Sequence, residues 1–304
     1  MSFAVRSAFK SIRDRLPIFR ELVGIRGELI DIRGDLRAAL TALQNMHAQE
    51  AYDRSKLTPR HTDPMRLTMF GYQVNSQNCE DGMIAEVFRR IGTTNKTFLE
   101  IGVGDGSENN TAFLLTLGWC GYWIDGAGEF VRLVKDRNLD REPARIRYLV
   151  DFVTRESITG QLSQLAVPSE IDLLSLDVDQ NTYWIWDGMR SIRPRVVVVE
   201  YNASVPPNVA WKVRYDPGRM WDGSENFGAS LKAFEQLGGE LGYCLVGCDW
   251  MGCNAFFVRK DLVGDRFAAP FTAENHHEPA RYPAFTARRG HPAMLLDIPE
   301  DGGL

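Results

Sequence analysis

The sequence predicts an α/β fold: a doubly wound, mostly parallel seven-stranded sheet preceded by a coiled-coil helix. Three observations carry that prediction. Residues 97–101, 120–124, 146–150, 171–176 and 195–200 are short apolar runs with the look of buried parallel strands, separated by segments long enough for crossover helices. The last two runs, 243–248 and 253–259, have only Asp249, Trp250, Met251 and Gly252 between them, which demands an antiparallel hairpin. Ahead of the sheet, residues 22–46 repeat apolar positions in alternating steps of three and four.

Composition fits this class. The chain has 304 residues, 44% hydrophobic and 25% charged, which excludes wholesale disorder and a disulfide scaffold. The net charge of −5 argues against nucleic acid as a partner. The charge is uneven: residues 1–26 carry six basic and two acidic side chains. Arg6, Lys10, Arg13 and Arg15 leave no continuous apolar stretch for a secretory signal, and no run reaches the ~18 apolar residues of a membrane span. Five cysteines, an odd number, fit a reducing compartment, so a cytoplasmic location is expected.

The elements follow in order. Phe3, Phe9, Ile12 and Leu16 can share a helical face amid basic residues, making residues 1–20 a candidate for contact with the inner face of a membrane; a frayed basic terminus is the alternative. From Leu22 the seam runs through Ile25, Leu29, Ile32, Leu36, Ala39, Leu43 and Met46, with mixed charges between, and predicts a homo-oligomer through residues 22–46. A single amphipathic helix folded back on its own domain is the other reading. Domain boundaries are expected at 1–50 (basic start and coiled coil), 51–66 (linker, with Pro59 and Pro64), 67–262 (sheet domain) and 263–304 (irregular, proline-rich tail). Residues 80–91 and 228–241 read as helices. Cys244, Cys248 and Cys253 lack paired metal-ligand spacing and read as core thiols; His276, His277 and His291 belong to a surface-wrapping tail or contribute to an acceptor site.

The strongest chemical signal is the segment Phe98-Leu-Glu-Ile-Gly-Val-Gly-Asp-Gly-Ser-Glu-Asn-Asn-Thr111, an apolar strand running into Glu100, Gly102, Gly104 and Gly106. Glycines there let the backbone press against a ligand. A dinucleotide site wants a third glycine where Ser107 stands, and no phosphate-binding lysine follows, so the loop favours a ligand without phosphates. The next strands end in Asp125, in Asp151-Phe152 and in Asp177-Val178-Asp179, so acid accumulates along one rim of the sheet. Such a rim repels phosphates and suits the sulfonium and amino groups of S-adenosylmethionine.

These residues form a recognisable pattern. Glu100-Ile-Gly-Val-Gly-Asp-Gly106 resembles motif I of class I S-adenosylmethionine-dependent methyltransferases, whose Rossmann-like sheet has five parallel strands closed by a hairpin. Ser76-Gln-Asn-Cys-Glu-Asp81, Asn109-Asn-Thr111 and Leu176-Asp-Val-Asp-Gln-Asn181 look more narrowly like the FkbM-type branch and its uncharacterised relatives, departing at Gln180-Asn181, where that pattern prefers an acid followed by glycine. The resemblance covers residues 70–260. It implies that Glu100, Gly102, Gly104 and Gly106 cradle the methionine portion, Asp125 the ribose, Asp151 and Phe152 the adenine, with Asp177 beside the reacting methyl.

Methyl transfer to a hydroxyl requires in-line positioning and removal of a proton. No histidine lies between residues 62 and 275, which leaves Asp177, Asp179 and Glu200 as candidate bases with Asn202 as a positioning amide. The same carboxylates could instead hold a divalent metal, which is not required by the pattern. Residues 201–227 form a long connection carrying Trp211, Tyr215 and Trp221; with Tyr183 and Trp184 they are candidate acceptor-binding groups for a sugar or glycan-like hydroxyl compound, plain packing being the alternative. O-methylation of such an acceptor is the preferred reading. A non-catalytic oligomeric scaffold and an NAD-dependent sugar-modifying enzyme compete with it.

Overall fold

The structure is a computed structural model that describes residues 17–55, 57–137 and 145–282. Residues 1–16, most of the basic start, and His291 lie outside the described residues. The chain divides into two compact units, Met1–Asp53 and Arg54–Leu304. The first unit's described part belongs to a single helix, α1 (Pro17–Ser55), which runs two residues into the second unit. Its apolar seam is solvent-exposed, from Ile25 at 46% to Met46 at 69%. None of the described helices is long and apolar enough to cross a membrane.

The second unit is built on a seven-stranded sheet in the order β3-β2-β1-β4-β5-β7-β6. Its strands are β1 (Thr97–Ile101), β2 (Cys120–Asp125), β3 (Ile146–Val150), β4 (Leu173–Leu176), β5 (Val196–Glu200), β6 (Tyr243–Cys248) and β7 (Asn254–Arg259). The first five are mutually parallel, while β7 runs antiparallel to β5 and β6 antiparallel to β7. This is the doubly wound, mostly parallel, Rossmann-like sheet that the sequence predicts. The run Val196–Val199 shows why apolar continuity marks these strands: Val196 and Val198 enter the core on one face, Val197 and Val199 the core on the other. β3, at the edge, is only partly buried and exposes Arg147, a charge that blunts an open edge.

Helices cover both faces: α2 (Pro59–Thr62), α3 (Glu80–Ile91), α4 (Ala112–Thr116), α5 (Gly128–Arg137), α6 (Ile158–Leu165), α7 (Thr182–Gly188) and α8 (Leu231–Leu241), then α9 (Lys260–Val263) and α10 (Ala273–His276). The sequence places the last long helix at 228–241; it begins at Leu231 because Ser230 accepts from the Ala233 N–H and caps it. β4 starts at Leu173, two residues later than the apolar run, although the Asp172 backbone still bonds Thr97 and Val196 on either side. The Asp172 carboxylate collects the backbone N–H groups of Thr94, Asn95 and Lys96 and a 2.7 Å ion pair from Arg195.

The segments read as linker and tail meet each other. Arg60 and His61 of α2 reach Glu278 Oε1 at 3.0 and 3.1 Å, Arg281 reaches Glu278 Oε2 at 2.8 Å, and the Tyr201 hydroxyl donates to the Glu278 carbonyl at 2.6 Å. Residues 59–66 and 266–282 thereby form a strap against the C-terminal end of β5.

Candidate functional site

The strand order reverses between β1 and β4, and in open α/β sheets ligands bind outside the carboxyl ends of strands at such a point. A cleft lies there. It is lined by Gly102, Val103 and Gly104 after β1, by Ser175 of β4 and Asp177 just beyond it, by Asn109 and Asn110, and by Gln77, Glu80 and Asn254. Five carboxylates, Glu80, Glu100, Asp105, Glu108 and Asp177, face it, and its lining contains no lysine or arginine. The lining is acidic in composition, as the sequence anticipates.

The three glycines divide their work. Each has positive φ, at +85°, +59° and +73° for Gly102, Gly104 and Gly106. A Cβ on Gly102 would stand 1.5 Å from the Asp177 carbonyl oxygen, so this glycine lets the loop cross the end of β4. A Cβ on Gly106 would meet Leu133 of α5 at 2.7 Å. Only Gly104 of the three faces open space, with nothing within 4 Å of where its Cβ would stand.

Glu100 is buried and organises the loop. Oε1 accepts from the Asn110 N–H at 2.9 Å; Oε2 accepts from the Asn109 amide at 2.9 Å and from the Thr111 hydroxyl, which in turn accepts from Trp123 Nε1. Burial raises its pKa, while those donors pull the other way. Asn109 is 6% exposed and its Oδ1 has no hydrogen-bond partner. An orphaned acceptor in the cleft wall fits a ligand with N–H or ammonium donors.

Asp125 takes the Gly104 N–H on Oδ2 at 2.7 Å and the Ala127 N–H on Oδ1 at 2.6 Å. Each oxygen keeps a second lone pair, enough for a ribose diol. Asp151 and Phe152 follow β3. Gln161, buried on α6, donates to Asp151 Oδ2 at 2.8 Å and to the Phe152 carbonyl at 2.9 Å. The Phe152 ring lies against Gly126, where a Cβ would come within 2.6 Å, and stays 59% exposed, presenting a flat apolar surface. Glu80, Asn109 and Asn254 line the cleft and Gln161 braces the Asp151–Phe152 turn, roles that sequence reasoning did not assign, although Glu80 and Asn109 lay inside quoted motifs.

Asp177, Asp179 and Glu200 converge. Their carboxylate oxygens lie within 4.8 Å of one another, the one such cluster of potential metal ligands among the described residues. Asp179 adopts φ +54°, which folds the chain back so that both aspartates face the same point. Burial, then the charges of Asp177 and Asp179, push Glu200 well above the usual carboxylate range. Desolvation among its neighbours and the charges of Glu100 and Glu80 raise Asp177 too, against the hydrogen bond from Glu200, although the residue is open to solvent at the cleft. Deeper in the wall, Glu80 accepts from the Asn78 N–H at 2.6 Å and the Asn254 amide at 2.7 Å. Burial and the charge of Glu80 raise Asp249, in the hairpin turn, to about 8.

The remaining expected groups sit elsewhere. Asn202 is fully buried and donates to the carbonyls of Glu225 and Phe227 at 2.6 and 3.1 Å; it fixes the 201–227 loop and does not line the cleft. Trp211 is buried with Val205 and Val213 in a small core of that loop. Tyr183 and Trp184 stack edge-on beneath Lys212, Trp184 donates to the Val213 carbonyl at 2.9 Å, and Tyr215 packs on Trp184 while bonding Glu156. Trp221 lies on Phe227. These five aromatics hold the loop together; like Asp125, Asp151, Phe152, Asp179 and Glu200, they lie outside the residues that line the cleft itself. Gln180 and Asn181 dock the same loop, donating to the carbonyls of Asn226 and Asp216 at 2.8 and 3.0 Å.

No family model and no curated protein matches the chain. Among solved structures it is similar to the methyltransferase domain of bacterial CtHen1-C, at 17% identity and a TM-score of 0.37 over 59% of this chain and 96% of that one. It is also similar to a SAM-dependent methyltransferase from Aquifex aeolicus, at 11% identity and 0.34 over 58% and 88% of the two chains. A third is the magnesium protoporphyrin IX methyltransferase ChlM from Synechocystis PCC 6803 with bound SAH, at 10% identity and 0.36 over 72% and 99%.

Proposed function

We propose that the chain is an S-adenosylmethionine-dependent methyltransferase acting on the hydroxyl of a sugar, glycan or similar metabolite. The observation that carries this is the cleft at the β1/β4 reversal: five carboxylates, an orphaned amide oxygen on Asn109 and an open Gly104, with no cationic side chain in the lining. Phosphate-rich cofactors are repelled by such a surface; a sulfonium and an α-amino group are attracted.

In this reading Asp125 holds the ribose hydroxyls, Phe152 and Asp151 the adenine, and Asn109 with the Gly102–Gly104 backbone the amino-acid end. The cofactor when bound supplies an electrophilic methyl group. Asp177, ionised and steadied by a proton on Glu200, accepts the acceptor's hydroxyl proton as the oxygen attacks; Asp179 shares the site. The resemblance to the FkbM-type branch, the sugar acceptor, self-association through residues 22–46 and membrane contact through residues 1–20 belong to the same proposal.

Calorimetric titration with S-adenosylhomocysteine tests it. Binding in the micromolar range with none for NAD is the expected result; absence of heat and of a thermal shift at millimolar ligand rejects the enzyme. The carboxylate trio favours a second reading, in which an all-oxygen divalent cation bridges vicinal hydroxyls. Turnover lost in EDTA and restored by Mg²⁺ selects that reading, and unaffected turnover removes it.

A further inference from the structure

The seam of α1 assigns more than self-association. Residues 22–46 place leucine at every a position (Leu22, Leu29, Leu36, Leu43), and isoleucine at the first two d positions, Ile25 and Ile32, followed by Ala39 and Met46. All are exposed on a helix of 39 residues, and Leu29, Ile32, Leu36 and Leu40 bound an apolar groove along it. Leucine at a with isoleucine at d shifts parallel coiled coils from two strands to three or four.

The flanks set the orientation. Glu21, Glu28 and Asp35 fall at g, and Arg26 and Arg33 at e, all exposed. In a parallel, in-register bundle each g residue meets the e residue five positions on in its neighbour, so Glu21 meets Arg26 and Glu28 meets Arg33 of another copy. In an antiparallel bundle g meets g and e meets e, which sets acid against acid and arginine against arginine. The pattern is therefore self-complementary in one orientation only. Gly24, Gly27 and Gly34 fall at c and f, the outward positions, where a Cβ would meet nothing within 4 Å. They weaken a lone helix without serving its packing, so its order has to come from the seam.

We infer that α1 assembles this chain into a parallel, in-register homo-oligomer of more than two copies. The inference rests on the proposed self-association and adds orientation and strand number to it.

Light scattering on the full chain should give three or four times 34.3 kDa. A monomer rejects self-association itself; a dimer rejects the strand number. Orientation is tested by charge. Arg26→Glu/Arg33→Glu, with the seam intact, should raise the dissociation constant at least tenfold, as should Glu21→Arg/Glu28→Arg, and mixing the two variants should restore a four-stranded assembly fully and a three-stranded one only in part, since one of its three interfaces then joins like charges. In the antiparallel case the first variant merely exchanges one like-charge contact for another, so an unchanged mass overturns the parallel arrangement while leaving association standing. Oxidation of Ile25→Cys gives an independent readout: mass spectrometry should find a disulfide joining residue 25 to residue 25. In an antiparallel pair those positions lie about 27 Å apart, 18 residues at ~1.5 Å each, and the linked peptide is absent.

Discussion

The Asp177–Glu200 pair titrates as a unit, because each carboxyl sits within reach of the other's charge. Glu200 keeps its proton above the ordinary range and donates toward Asp177, which favours the ionised base. Asp177 is itself raised, so the acid limb of the rate profile should lie above an ordinary aspartate's. Glu200→Ala removes the donor and leaves Asp177 beside Glu100 and Glu80; its pKa rises and the acid limb moves to higher pH. Glu200→Gln keeps an N–H donor and should shift the limb far less. Equal shifts in the two variants would remove the proton on Glu200 from the mechanism. Asp177→Asn should retain S-adenosylhomocysteine binding while turnover falls roughly 10²–10⁴-fold, the usual contribution of a general base. The two loop glycines separate structure from binding in the same way. Gly102→Ala drives a methyl into the Asp177 carbonyl and should lower the melting temperature strongly, whereas Gly104→Ala meets no neighbour and bears only the strain of its φ of +59°, so it should lower the melting temperature less while still weakening ligand binding.

At the scale of elements, the strands were legible because each is buried by its own apolar run, and a run needs no knowledge of its neighbours. The glycine loop and the acids at Asp125, Asp151 and Asp177 were legible for a related reason: they follow strand ends, and parallel strands bring their ends to one rim. What the sequence hid are the pairings across long separations. Arg60 and His61 meet Glu278 more than 200 positions away, and Gln180, Asn181 and Asn202 tie down a loop that reads as an aromatic sugar platform. Aromatic residues look alike in sequence whether they stack on a ligand or on each other. The Glu278 strap carries its own prediction. Burial alone would raise this carboxyl, but the hydrogen bond from His61 and the charges of Arg60, His61 and Arg281 hold it at about 2. A carboxyl depressed in the folded state contributes stability above its unfolded pKa and loses it as pH falls through the folded value. Glu278→Gln should therefore cost about 3 kcal/mol at neutral pH, with the difference from wild type closing between about pH 4.5 and 2 in urea titrations. A constant difference across that window would mean that packing, and not charge, holds the strap.

At the scale of the whole molecule, the chain concentrates chemistry in one unit and leaves a long apolar seam on the other. Every residue lining the cleft falls between Gln77 and Asn254, within the span of the open sheet that ends in the β6–β7 hairpin. The proposed catalysis therefore draws no cleft residue from α1, and the proposed assembly draws none from the cleft. Deleting residues 1–50 should reduce the particle to a single chain's mass and leave the affinity for S-adenosylhomocysteine within about twofold. Turnover on a small soluble acceptor should follow the affinity. Turnover on a multivalent glycan should instead fall steeply, because several active sites on one bundle raise the effective concentration of each repeat beside its neighbour's cleft by 10²–10⁴. Measuring both acceptors with both lengths of chain separates the alternatives: parallel losses mean the helix supports the fold of the sheet, and a loss confined to the multivalent acceptor means that the bundle exists to gather sites.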